Sequence, residues 1–291
     1  CYHFRFSRII ASAPIMSRFL AIGHIAKDII PGGYTIGGTV TYAAVTAHRL
    51  GYEAAILTRS STDLILPSDL DGINVKRLPS SVSTTFENIY QGDTRVQYLH
   101  ARADDLRVKD LPKEWRAPSI VLLGPLAGEV DPAFVRAFAP GTIIGVTPQG
   151  WMRSWDAQGK VSPVAWRQAI DILPHANALI LSEQDIRGFE EQLQSYVTLT
   201  SLTVVTRGPH GARVYRRGQR PFDSPAFPTT EVDPTGAGDV FAAAFLIRLS
   251  ETNDVQTAAR FANCVASFSI EAMGVRGIPT RAQVEARLDS K

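Results

Sequence analysis

The chain has 291 residues, enough to bury a sizeable core in one large α/β domain without disulfides or metals. Hydrophobic residues make up 45% and charged residues 20%, and the formal net charge of +2 advertises neither nucleic acid nor an anionic membrane as a partner. Cys1 and Cys264 stand at opposite ends without metal-ligand spacing, which argues against a disulfide framework or zinc site and favours a reducing, cytoplasmic setting; no apolar run nears the roughly 18 residues of a membrane span.

In chain order, residues 1–15 are basic and read as an upstream or appended extension ahead of a start at Met16, leaving a single domain over 16–291. "RFLAIGH" (18–24) is a buried strand and "GGTVTYAAVTAHRLG" (37–51) a helix closed by Gly51. A strand at 53–58 follows. The alternation returns with strands at 119–124, 141–146, 177–182 and 201–206, and helices near 131–139, 163–172 and 183–196. Fully apolar strands alternating with helices predict a parallel sheet covered on both faces. Segments 29–37 and 73–100 break that rhythm. They are strand-like, the second turns at "QGDT", and together they predict a small β lid beside the main sheet. After 236 the chain reads as helical to its end.

The densest chemistry lies in "EVDPTGAGDVFAAAF" (231–245). Gly236, Ala237 and Gly238 allow close backbone approach at the start of a helix, where free N–H groups and the helix dipole favour an anion. Asp239, in the first turn, is placed to accept a proton from a hydroxyl. An anion hole beside a base is the equipment of phosphoryl transfer to an alcohol. Two rival phosphate motifs fail. "GAGDVF" puts Phe241 where a dinucleotide fingerprint needs a small residue, and "GYTIGGT" puts Gly38 where a Walker A loop needs lysine.

"DPTGAGD" resembles the signature of the ribokinase-like, or PfkB, family of carbohydrate kinases, and "GGTVTYAAVTAHRLG" is similar to that family's N-terminal Gly-Gly helix. The order and spacing of the two motifs agree with it over residues 18–290. The resemblance implies a doubly wound α/β domain with a β lid, ATP and Mg²⁺, and a sugar, polyol or nucleoside hydroxyl as acceptor. It makes Asp239 the base and Gly236–Gly238 the anion hole. Asp28 of "GHIAKD", Gly37, Gly38 and Tyr42 fall on the acceptor side. Phe86 and Glu87 of "TTFENIY" are lid residues placed to close over the acceptor, although strand alternation alone produces the same letters. "TRGPHG" is similar to the family's nucleotide-side hairpin, implicating Thr206, Arg207, Gly208 and Gly211. Asn263 resembles a position near the adenine, although a mid-helix Asn facing solvent reads the same.

Three departures narrow the reading. Tyr42 stands where the family usually has Asn, which argues against ribokinase itself. The N-x-x-E motif appears as "SEQD", so Mg²⁺ would fall to Ser182 and Asp185. The D-x-N-x-R strand end appears as "TPQGWMR", leaving Gln149 and Arg153 to reach a phosphate or an acceptor hydroxyl, with Trp151 either stacked on a ring or packed. These changes resemble atypical branches that include inositol kinases, so a polyol such as myo-inositol is the expected acceptor. A nucleoside acceptor and a catalytically weak sugar or nucleotide sensor are the alternatives. The resemblance also leaves open a monovalent cation near Asp233, and a monomer or a homodimer formed through the lid.

Overall fold

The computed structural model describes residues 18–91 and 94–290; the expected 1–15 extension and the Gly92–Asp93 tip of the "QGDT" turn lie outside them. The central sheet holds β1 (Arg18–Ile22), β4 (Glu53–Ser60), β5 (Asn74–Pro79), β8 (Ile120–Leu123), β9 (Ile143–Val146), β12 (Ala178–Ser182), β13 (Leu202–Thr206), β14 (Ala212–Arg216) and β15 (Phe222–Ser224). A four-stranded lid holds β2 (Ala26–Ile30), β3 (Gly33–Gly37), β6 (Thr85–Gln91) and β7 (Thr94–Ala101), and a hairpin pairs β10 (Arg153–Trp155) with β11 (Val161–Pro163). The helices are α1 (Thr39–Arg49), α2 (Ala169–Ile172), α3 (Leu193–Leu199), α4 (Ala237–Thr252), α5 (Val255–Ser269) and α6 (Arg281–Asp289). The central order is β15-β14-β13-β12-β9-β8-β1-β4-β5, parallel from β13 to β5, with β14 and β15 antiparallel at one edge.

Strand alternation divides the core into two layers. Phe19 and Ala21 of β1 join Ile120 and Leu122 of β8 in the layer covered by α1, α4 and α5. Leu20, Ile22, Val121 and Leu123 face the other way, onto Trp115, Trp151 and Trp166. Both strand faces are buried, which is why these strands read as unbroken apolar runs. α4 is buried nearly all round, with Ala242, Ala243, Ala244 and Phe245 inaccessible to solvent.

Three expected helices are shorter. The 131–139 segment is a 3₁₀ turn over Pro132–Arg136, and 163–172 contributes only α2 and a 3₁₀ turn at Leu173–His175. Pro132, Pro140, Pro163 and Pro174 bracket or enter these stretches and remove helix donors. In 183–196, Gly188 has φ +84°, which interrupts the helix so that α3 begins only at Leu193. The lid also differs from the expectation. Residues 74–79 pair in parallel with β4 at the edge of the main sheet, and the second lid segment is the β6–β7 hairpin. A half-buried alternating strand fits the edge of either sheet, so its pattern alone does not choose.

Four crossings join lid to body, and three of them meet at His24. Its Nδ1 lies 2.7 Å from Thr84 Oγ1, just before β6, and its Nε2 lies 3.0 Å from the Asp104 carbonyl, just after β7. Thr84 Oγ1 also accepts the Ala103 N–H at 3.0 Å. Burial holds the imidazole below its usual pKa despite the nearby Glu129 carboxylate, so the node is a neutral hydrogen-bonded joint.

Candidate active site

α4 begins at the mouth of a cavity of about 660 Å³ that runs from the underside of the lid to the face of α5. Gly236 is its N-cap, with φ +77° and ψ 0°, and a Cβ there would stand 2.3 Å from the Tyr42 ring. A side chain is therefore excluded twice, by the left-handed backbone and by the ring. Among the described residues no group accepts a hydrogen bond from the N–H of Gly236, Gly238 or Asp239, whereas Ala237 N–H donates to the Pro234 carbonyl at 3.2 Å. The N–H groups left open at the helix mouth among the described residues are thus those of Gly236, Gly238 and Asp239, whereas the Ala237 N–H that the sequence reading counted is already bonded. Asp239 lines the cavity and its carboxyl pKa is pushed up to about 6. Burial is the largest cause and the Asp185 charge adds to it, while a hydrogen bond from Thr39 and the Arg153 charge oppose it. Thr39, at the first turn of α1, was not singled out in the sequence; a capping-type threonine carries no sign of a partner almost 200 positions away.

On the lid side, Asp28 projects from β2 above Gly37 of β3. A Cβ at Gly37 would come 2.0 Å from Asp28 Oδ2. Gly37 therefore makes room for the carboxylate and does not itself line the cavity, while Gly38 caps α1 and does. The Tyr42 phenol is held well above its usual pKa by burial and by the charges of Asp233, Asp239 and Asp28, so it remains a donor. Phe86 is buried under the lid, and the Arg153 guanidinium lies 5.8 Å from its ring centroid. Arg153 Nη1 also donates to the Leu126 carbonyl at 3.4 Å. Glu87 points to the opposite face of the lid, where it contacts His100 at 2.7 Å. The expected role of Glu87 over the acceptor is thereby corrected: strand periodicity gives neighbours opposite faces, and Phe86 has the inner one. Two further lining residues, Asn88 and Gln97, were missed because polar letters in an alternating strand read as its solvent side.

On the other side, Asp185 Oδ2 accepts from both N–H and Oγ of Ser182, at 2.8 and 2.7 Å, and Oδ1 accepts from Gln149 at 3.3 Å. This turn after β12 fixes Asp185 within electrostatic reach of Asp239. Ser182 Oγ is committed to Asp185, so of the two expected metal residues the Asp185 carboxylate is the group that could face a cation. Among the described residues no group of three or more His, Cys, Asp or Glu forms a ready cage. One carboxylate with open space in front suits Mg²⁺ arriving with a polyphosphate and keeping its waters. Thr206, Arg207, Gly208 and Gly211 line the adjoining wall, with Arg207 paired to Asp223 at 2.8 Å. Asn263 is buried on α5, lines the far end and donates to Ser224. Asp233 accepts N–H groups of Thr235 and Gly274 at 3.0 and 2.9 Å, tying the glycine turn to the 274 loop. Trp151 lies outside the cavity, stacked on Trp166 with centroids 5.6 Å apart, so of its two expected roles the packing one applies.

Comparison with known proteins agrees with this fold. Residues 161–281 match the model of the pfkB family carbohydrate kinases. The chain is 46% identical to the ribokinase of Bacillus subtilis (strain 168) over 85 residues, 29% of each chain. It is 27% identical to a nucleoside kinase of Methanocaldococcus jannaschii over 126 residues, 41% of each, and 23% identical to inositol 3-kinase of Oryza sativa subsp. japonica over 255 residues, 86% of this chain and 62% of that one. The matched stretches thus span less than two thirds of these relatives. A pyrophosphate-dependent kinase in the ribokinase family, solved with a pyrophosphate analogue and myo-inositol, superposes with a TM-score of 0.77 at 22% identity, covering 92% of this chain and 99% of that one. Both parts of the Gly-Gly and DPTGAGD pattern thus gather on one cavity of a ribokinase-fold molecule, and the match to the pfkB family carbohydrate kinases covers its C-terminal part, residues 161–281.

Proposed function

We propose that the protein transfers the γ-phosphate of ATP to a hydroxyl of a small polyol or sugar, with an inositol as the leading acceptor. The observation that carries the reading is the floor of the cavity: the Asp239 carboxylate beside three unengaged backbone N–H groups at the N-terminus of a 16-residue helix. In the reaction Asp239 takes the proton of the acceptor hydroxyl as its oxygen attacks the γ-phosphorus. The bond from that phosphorus to the β-phosphate oxygen breaks, and ADP leaves with the electron pair. Charge on the transferred group is met by the N–H groups of Gly236, Gly238 and Asp239, which are oriented before the reaction begins. Asp28, Tyr42 and Arg153 orient the acceptor. Asp185 would hold Mg²⁺, which supplies the positive charge that a polyphosphate needs beside two carboxylates.

A nucleoside acceptor is the second reading, and the aromatic side chains speak against it. Stacking on a base needs a free ring face, and a neighbour already lies against each ring: the Arg153 guanidinium 5.8 Å from the Phe86 centroid and Gly236 beside Tyr42. The test is ADP release with Mg²⁺ and ATP across sugars, inositols and nucleosides, with orthophosphate release to read pyrophosphate as an alternative donor and a potassium titration for a cation near Asp233. The expected outcome is turnover on a polyol that Asp239→Asn lowers by about 10²–10⁴-fold while ATP still binds. Turnover on nucleosides alone would transfer the acceptor assignment, and binding without turnover would favour a sensor.

A further inference from the structure

The inner face of the lid carries a polar pair that the transfer chemistry does not use. Asn88 of β6 and Gln97 of β7 are directly opposed in the antiparallel register, one step outward from the opposed pair Phe86 and Leu99. Strand periodicity places Asn88 on the same face as Phe86, and both amides line the cavity. Gln97 Nε2 donates to Asn88 Oδ1 at 2.9 Å. That bond fixes the orientation of both amides, and it leaves Asn88 Nδ2 and Gln97 Oε1 as one donor and one acceptor side by side. No other hydrogen bond engages either side chain among the described residues. In the adjoining β2–β6 pair, Asp28 of β2 is in register with Phe86, so the amides lie one row beyond the groups proposed to hold the reacting end.

We propose that the Asn88–Gln97 pair reads the part of the acceptor remote from the transferred phosphate, and that it recognises two adjacent hydroxyls. The inference rests on the phosphotransferase reading. A vicinal diol matches the pair because one hydroxyl accepts from Asn88 Nδ2 while its neighbour donates to Gln97 Oε1. Neither amide carries charge, so the group read is neutral; a carboxylate or phosphate on the acceptor would find no cation in the pair. A site built to bond hydroxyls also rejects analogues that lack them, because its own polar groups are then left unpaired.

The experiment compares the unaltered enzyme with Asn88→Leu, Gln97→Leu and the exchanged double variant Asn88→Gln/Gln97→Asn, on myo-inositol and its single-position deoxy analogues. KM and kcat are measured for each, together with melting temperature and calorimetric binding of the acceptor. Each leucine variant is expected to raise KM for the intact polyol about 3- to 10-fold, with kcat and KM for ATP nearly unchanged. The penalty should vanish for the deoxy analogue lacking the hydroxyl that the residue reads. The exchanged variant keeps the amide-to-amide bond but displaces it, so it should recover the melting temperature and not KM. Equal penalties on every deoxy analogue, or full recovery by the exchanged variant, would overturn the proposal by making the pair merely structural. If the unaltered enzyme phosphorylates no polyol but does phosphorylate another alcohol, the acceptor reading and this inference fall together, and the kinase reading stands.

Discussion

The proposed role of Asp239 as a base needs an ionised carboxylate, and its neighbours decide the pH at which that form appears. Burial and Asp185 raise its pKa to about 6, so turnover should rise as pH passes through about 6. Thr39→Val removes a hydrogen bond that favours the ionised form. The acidic limb of kcat/KM should then move upward by roughly one pH unit, as a pH–rate profile will read. The same shift has a consequence for stability. The folded pKa lies above the ordinary 3.8, so the stabilising effect is complete below about pH 4 and is lost as pH rises through about 6. Asp239→Asn should therefore be more stable than the parent at pH 8, by about 1–2 kcal/mol after allowance for the partly exposed carboxylate, and equal to it near pH 4. Urea unfolding at the two pH values checks this. The Gly236–Gly238 turn was legible in the sequence as a candidate anion site, yet which N–H groups remain unengaged among the described residues was not: the answer depends on the turn that lets Ala237 reach the Pro234 carbonyl.

At the scale of elements, the 124–129 loop links the catalytic floor to the lid. Glu129 is inaccessible to solvent and accepts backbone N–H groups of His24, Leu126 and Ala127 at 2.7–3.0 Å. The Leu126 carbonyl in turn receives Arg153. Glu129→Ala leaves three buried donors without a partner, and should cost about 3–5 kcal/mol in chemical unfolding. Glu129→Gln keeps an acceptor oxygen and should cost less. Nothing in "GPLAGEV" marks Glu129, because a lone acid after a strand usually reads as solvated. The short helices were missed for a related reason. Apolar letters recur at helical spacing in 131–139 and 163–172, but prolines break the backbone hydrogen bonds that a helix needs. α1, α4 and α5 carry no interior proline and lie where their sequences predict.

For the whole molecule, α4 belongs to the core and the active site at once. Phe245 is inaccessible to solvent two turns beyond Asp239, packed beside Phe241 with ring centroids 6.0 Å apart. Phe245→Ala should cost about 3–5 kcal/mol. Its measured turnover should fall in step with the folded fraction, since the cavity lining ends earlier on the helix. Such coupling explains why local chemistry was readable early. The apolar strands, the glycine turn with its acid and the Gly-Gly helix are local patterns, and local backbone rules determine them: close approach needs small residues, and a doubly buried strand needs continuous apolar side chains. By itself, therefore, the sequence determined the α/β class and the glycine turn with its following acid. The tertiary structure decided the sheet to which 74–79 belongs, the partners Thr39 and Glu129, the outward face of Glu87 and the inward pair Asn88–Gln97. Those depend on contacts between residues far apart in the chain, and a strand's alternation specifies two faces without saying which of them meets the cavity.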